Sequence, residues 1–127
     1  MTVARRLVST GVAASLLLAA GCDRDAAPQT RIVADGDPGH GRQLIAEVAC
    51  GVCHIIPGVR GAAGTVGPSL AGFAERNLIA GVLPNTPSEL ARWVRDAPSL
   101  VPETAMPPMP LSEDEAVNVA AYLLTLR

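Results

Sequence analysis

Cys50-Gly51-Val52-Cys53-His54 is the stretch on which the reading of this chain turns. Two cysteines two residues apart, with a histidine directly after the second, bring two thiols and an imidazole together within a few residues. The flanking sequence says what kind of fold holds them. Upstream, Pro38 to Ala49 predicts a helix: Asp37 suits the N-cap and Pro38 the first helical position. Leu44, Ile45 and Val48 fall on one face, with Gly41 one turn before Ile45. Downstream, Gly58, Gly61, Gly64 and Gly67 recur at intervals of three between Ile55 and Pro68. With proline only at its ends, this run reads as a compact loop that needs unusual backbone angles, not as a collagen repeat.

Further along, Leu70 to Ile79 predicts a short helix and Pro87 to Asp96 another. Thr86 is placed to cap the second, Pro87 to start it, and Glu89 to complete a capping box. Leu90, Trp93 and Val94 give it an apolar face, and Ala97-Pro98 stops it. Val101 to Pro110 holds four prolines and is neither helix nor central strand. The last helix starts at Ser112, with Glu115 completing a second box and Val117, Ala120, Ala121 and Leu124 as its apolar stripe. No strand pattern emerges, so the expected fold class is all-α.

Four readings compete for the Cys-x-x-Cys-His string. A thioredoxin-like redox pair follows a strand in a βαβ unit, whereas this pair follows a helix. Zinc wants four ligands, and no second cysteine pair exists. A disulfide across two residues would be strained and leave His54 idle. Covalent haem c attachment uses every residue: each thiol adds to one porphyrin vinyl group and the imidazole lies beneath the iron as the proximal ligand. One haem c, held by Cys50, Cys53 and His54, is therefore the expected cofactor.

A c-type electron carrier also wants a sixth ligand. Met106, in Thr104-Ala105-Met106-Pro107-Pro108-Met109, is the first candidate, because a thioether closes the open iron position and raises the reduction potential. Met109 is the rival, and either methionine can instead be a core side chain. His40 reads as a solvated residue of the first helical turn.

The N-terminus carries a different message. Arg5 and Arg6 precede an uncharged, mostly apolar run, Leu7 to Ala20, too short and too interrupted for a spanning helix. It ends in Leu18-Ala19-Ala20-Gly21-Cys22, which resembles the site where a bacterial lipoprotein signal is cut and the cysteine lipidated; an ordinary secretory signal cut near Gly21 is the other reading. Residues 1–21 are thus expected to be a lipoprotein-type signal peptide, with Cys22 the lipidated residue. Residues 22–37 form a polar, flexible tether, and 38–127 the folded domain. The tether reaches ~50 Å when extended. The three cysteines are then all accounted for in an oxidising compartment.

Composition agrees. Hydrophobic residues make up 49% of the 127 but aromatics only 2%, so a core this poor in large rings wants a cofactor to fill it. There is no lysine; all ten basic residues are arginine. Without residues 1–21, eight arginines face twelve carboxylates. Nothing resembles a nucleic-acid surface: there is no basic cluster and almost no stacking residue. An acidic carrier of this kind would meet partners through a neutral patch or a basic face on the partner.

From Gly39 to Arg127 the chain resembles a class I c-type cytochrome domain. The order matches: N-terminal helix, Cys-x-x-Cys-His, a glycine-rich loop ending in Gly67-Pro68-Ser69-Leu70, an arginine, a tryptophan-bearing helix, a Met-Pro loop, and a C-terminal helix with Ala121-Tyr122-Leu123. That resemblance implies a small cytochrome c fold, three to five helices around one covalent haem, with the first and last helices crossing where Gly41 and Tyr122 meet. It implies that the Pro68 carbonyl accepts from His54 and that Arg76 and Trp93 lie near the haem propionates. More narrowly, Arg76-Asn77-Leu78-Ile79-Ala80-Gly81, Pro84-Asn85-Thr86-Pro87, Arg92-Trp93 and the Met-Pro-Pro stretch are similar to the cytochrome c domain fused to subunit II of some bacterial haem-copper oxidases. The copper-binding domain of that subunit is not in this sequence.

The implied function is electron transfer, not catalysis. The expected protein is a lipid-anchored carrier on the periplasmic side of a bacterial membrane, ligated by His54 and Met106. It would pass electrons between redox proteins of a respiratory chain, a terminal oxidase among them. The alternatives are a cytochrome subunit fixed in a periplasmic dehydrogenase complex, and a five-coordinate haem protein that binds small ligands or reduces peroxide.

Overall fold

The computed structural model describes residues 36–127. The signal-peptide reading of 1–21, the lipidated Cys22 and nearly all of the tether lie outside the described residues. The two last tether positions touch the domain: the Asp37 N–H donates to the Asn118 side-chain oxygen at 2.7 Å, and a Cβ on Gly36 would come within 2.7 Å of Ala121 Cβ.

Among the described residues there are four helices: α1 (Pro38–Glu47), α2 (Pro87–Arg95), α3 (Ala97–Leu100) and α4 (Glu113–Leu123). α4 is the centre, packed against both α1 and α2. It can be central because Ala116, Val119, Ala120, Ala121, Tyr122 and Leu123 are all buried, so its covered face is wider than the expected stripe; Val117 is only half-buried. α1 presents Gly41, Leu44 and Ile45 to it. The glycine is what lets the two backbones touch. A Cβ there would lie 1.9 Å from the Asn118 carbonyl oxygen. The contact of Gly41 is thus with Asn118 and Val119, one turn before Tyr122. Tyr122 reaches elsewhere, its hydroxyl donating to the Pro57 carbonyl at 2.6 Å.

The helix starts follow from their caps. Asp37 accepts from the Gly39 and His40 N–H groups, and Pro38 begins α1. Ser112 and Glu115 form the complete reciprocal box at α4. At α2 only half of the expected box exists. Thr86 accepts from the Glu89 N–H, but the Glu89 carboxylate is taken by Arg92 one turn on, at 2.9 Å. Pro98 does not simply end α2; Asp96 caps a further turn, α3, in which Pro98 takes an early position.

The stretch from Leu70 to Ile79 is not a helix. Gly72 sits at φ 66°, leaving a 3-10 turn at Phe73–Glu75. A two-stranded antiparallel ribbon follows, β1 (Leu78–Ile79) and β2 (Leu83–Pro84). Its turn needs positive φ at both Ala80 (50°) and Gly81 (76°), closed by Val82 N–H to the Ile79 carbonyl. The fold is otherwise helical, as expected.

The box at α4 carries a pH dependence. Hydrogen bonds from the Ser112 backbone N–H, and then its hydroxyl, hold the Glu115 carboxyl below the usual carboxylate range. Its folded pKa is below its unfolded one, so its contribution is present above about pH 4.3 and is lost as pH falls through the lowered value. Thermal midpoints of the wild type should therefore drop more steeply into acid than those of Glu115→Gln. Parallel curves would show that the box does not couple to pH.

Candidate haem-attachment site

Ala49 ends α1 in the left-handed region, φ 59°, and turns the chain into a 3-10 turn at Cys50–Val52. The Cys53 and His54 N–H groups both point back to the Cys50 carbonyl, at 3.2 and 3.0 Å. One turn thus presents both sulfurs and the imidazole. Neither cysteine is in a disulfide; both are half-buried, and Cys50 packs against the core. Burial pushes the Cys50 thiol above its ordinary pKa; the hydrogen bond to its backbone opposes the shift and neighbouring Cys53 adds to it.

The glycine-rich loop is the other wall. Gly64 N–H donates to the Gly51 carbonyl at 3.0 Å and Gly67 N–H to the Cys53 carbonyl at 2.8 Å. Both glycines are there for close approach. A Cβ on Gly64 would be 2.1 Å from the Val52 carbonyl oxygen, and one on Gly67 would be 2.3 Å from the His54 ring. His54 Nδ1 lies 2.7 Å from the Pro68 carbonyl oxygen. A carbonyl can only accept, so Nδ1 carries a proton, and in the neutral ring Nε2 keeps its lone pair. That is the tautomer a metal-ligating imidazole needs, with the outer hydrogen bond that orients it.

Arg76 donates to the Ser69 carbonyl at 2.5 Å and to Ala71 at 3.3 Å, its guanidinium 5.2 Å from the Phe73 ring centroid. Trp93 is half-buried against the core. The methionine loop is anchored separately. Met106 N–H donates to Thr104 Oγ1 at 3.2 Å, and Met109 N–H to the Arg95 carbonyl at 2.9 Å. Met109 packs against the core; Met106, half-buried, is not among the residues that do. The structure thus links Cys50, Cys53, His54, Pro68 and Arg76 through one set of contacts, while Met106 and Trp93 stand on other elements.

Beyond its place in a motif, nothing in the sequence marks Asn85 as a site residue. Asn85 is only 3% exposed, the one buried polar side chain among the described residues. Its Nδ2 donates to the Phe73 and Arg76 carbonyls, and its Oδ1 has no partner. The only signal in sequence was an asparagine just outside a helix cap, a position usually solvated.

The residues fit haem c. Two unbridged cysteines and an imidazole held by its Nδ1 are offered from one turn, with glycine backbone against the ring. No group of three or more His, Cys, Asp or Glu side chains that could hold a metal ion occurs among the described residues. Nor do the cysteines follow a strand, as a thioredoxin-like pair would.

Comparison with known proteins agrees. Residues 39–127 match the family model described as Cytochrome c. The chain is 37% identical over 92 residues to cytochrome c-552 of Bradyrhizobium diazoefficiens, covering 72% of this chain and 76% of that protein. It is 40% identical over 88 residues to cytochrome c oxidase subunit 2 of Alkalihalophilus pseudofirmus, 68% of this chain. The match spans only a quarter (25%) of that subunit. The chain therefore belongs to the cytochrome c family, as a class I c-type cytochrome that carries haem c on Cys50 and Cys53 and serves as an electron carrier rather than an enzyme.

Proposed function

We propose that this cytochrome is a membrane-tethered carrier on the periplasmic side of a bacterial membrane, with His54 and Met106 as axial ligands, delivering electrons within a respiratory chain to a terminal oxidase. The observation that carries the ligand set is the division of labour between the two methionines. Met109 fills core, and Met106 sits half-buried outside it on a loop stiffened by Pro107 and Pro108. When bound, haem supplies an iron that alternates between two oxidation states with little change in coordination. The chain holds the imidazole by Nδ1 and brings glycine backbone against the ring.

The surface around the attachment turn supports exchange with a protein partner. Val52 and Val66 are 71% and 82% exposed, and from Val48 to Ala74 the only charged side chain is Arg60. Such a patch suits an apolar face on the acceptor better than a ring of opposite charge. An oxidase as acceptor is supported by the subunit 2 relative.

The ligand test is an optical spectrum of the purified protein. The oxidised form should show the weak long-wavelength charge-transfer band of sulfur-ligated ferric haem, and Met106→Ala should abolish it and let the reduced form bind CO. If Met109→Ala abolishes the band instead, the ligand is Met109; a high-spin, CO-binding wild type would mean an open iron site. For the tether, Cys22→Ser should move the protein from the membrane to the soluble fraction and slow its oxidation by oxidase-containing membranes. Retention of the variant on the membrane would sink the lipid anchor.

A further inference from the structure

We propose that Asn85, acting through Arg76, is a positioning residue for the proximal ligand; this rests on His54 being that ligand. The chain of contacts is continuous. Asn85 uses both N–H groups of its amide, one on the Phe73 carbonyl at 3.1 Å and one on the Arg76 carbonyl at 2.9 Å. Its backbone N–H takes the Asn77 carbonyl at 2.9 Å. Three carbonyls of the segment 73–77 are thereby fixed to the residue that precedes the α2 cap. That segment carries Arg76, whose guanidinium reaches back to the Ser69 and Ala71 carbonyls. The Pro68 carbonyl stands one residue before the Ser69 carbonyl that Arg76 holds, and it accepts from the His54 Nδ1–H.

The chemistry of the amide says which half of Asn85 matters. Its Oδ1 is buried with no hydrogen-bond partner among the described residues, and the two donated bonds offset the cost of burying this side chain. An aspartate of the same shape would set a carboxylate against two carbonyl oxygens. Arg76 has a matching logic. Its donors form a planar fork, and one fork arm can span two carbonyls two residues apart where a lysine ammonium offers only a point charge. Pro68 has no N–H of its own to anchor it. The Gly67–Ala71 segment is therefore held by Gly67 N–H on Cys53, Leu70 N–H on Ile55 and the arginine clamp. Loosening the clamp lets the Pro68 carbonyl swing from Nδ1. The imidazole then becomes a poorer donor to the oxidised iron.

The test uses the haem-loaded protein and two variants that leave formal charge unchanged, Asn85→Ala and Arg76→Lys. Three quantities are measured: the reduction potential, the exchange rate of the His54 ring N–H by NMR, and the thermal midpoint. Both variants should raise the potential and speed ring-proton exchange roughly three- to tenfold, the loss of about one hydrogen bond's net stabilisation. A fall in thermal midpoint with potential and ring exchange unmoved would overturn the proposal and leave Asn85 a structural residue. Should Asn85→Ala fail to fold, Arg76→Lys decides alone. Absence of an iron-shifted His54 ring signal in the wild type would overturn the ligand assignment, and the proposal with it.

Discussion

Gly41→Ala should be among the most damaging single-methyl changes this domain can suffer. Helix propensity alone argues the other way, since alanine for glycine within a helix is worth about 1 kcal/mol. The geometry outweighs it. The added Cβ would be 1.9 Å from the Asn118 carbonyl oxygen, 2.5 Å from its carbon and 3.0 Å from the Val119 nitrogen. All three are backbone atoms of α4, so no side-chain rotation relieves the overlap. α1 must back away from α4, undoing the packing of Leu44 and Ile45, which are 5% and 1% exposed. Overpacking of this kind costs on the order of 1–3 kcal/mol and sometimes more. With the clash at the top of that range and about 1 kcal/mol of propensity regained, we expect a net loss of about 2 kcal/mol in denaturant unfolding of the haem-loaded protein. At ~4–8 °C per kcal/mol, that is about 10 °C in thermal midpoint. Ala46→Gly, on the exposed side of the same helix, should cost only about 1 kcal/mol. If Gly41→Ala were as stable as the wild type, the two helices would not cross at this residue.

That contact also marks where sequence stops being legible. The glycine itself was readable as a point of close approach, but its partner was not. The register of one helix on another depends on every other contact between them, and the atoms nearest a Cβ at Gly41 are backbone atoms of Asn118 and Val119. Local signals did better. Asp37-Pro38, Thr86-Pro87 and Ser112 announce α1, α2 and α4 because a cap is a short-range hydrogen bond written in two or three adjacent residues. The reciprocal half of the α2 box failed for an equally local reason, the pull of Arg92 on Glu89. The ribbon at residues 78–84 escaped because Leu78-Ile79-Ala80-Gly81-Val82-Leu83-Pro84 has no apolar period, and Ala80 gives no warning of a left-handed φ. The attachment turn was fully legible, since its chemistry demands adjacent residues. The loop that presses Pro68 and Gly67 on His54 came from family resemblance. Asn85 was invisible as a site residue because its three carbonyl partners lie eight to twelve residues upstream.

Replacing both attachment cysteines, Cys50→Ala with Cys53→Ala, should cost the fold and not merely the colour. The buried side chains are mostly Leu, Ile, Val and Ala. Of the three aromatics, Phe73 and Tyr122 are buried and Trp93 is half-buried. A domain of this size buries too little of its own surface to hold a large margin of stability. Cys50 packs against the same core, so the attachment turn and the core are contiguous, and the apolar bulk of the porphyrin is part of what the chain folds around. Binding to the folded state alone then becomes folding free energy. The double variant should lose most far-UV helical signal and its cooperative melt, and become sensitive to protease. Cys50→Ala alone leaves one thioether and the His54 ligand, and should give a coloured protein of intermediate stability. A colourless double variant that still melted cooperatively near the wild-type temperature would mean that α1, α2 and α4 form a self-sufficient core. The haem would then be a passenger on the fold rather than part of it.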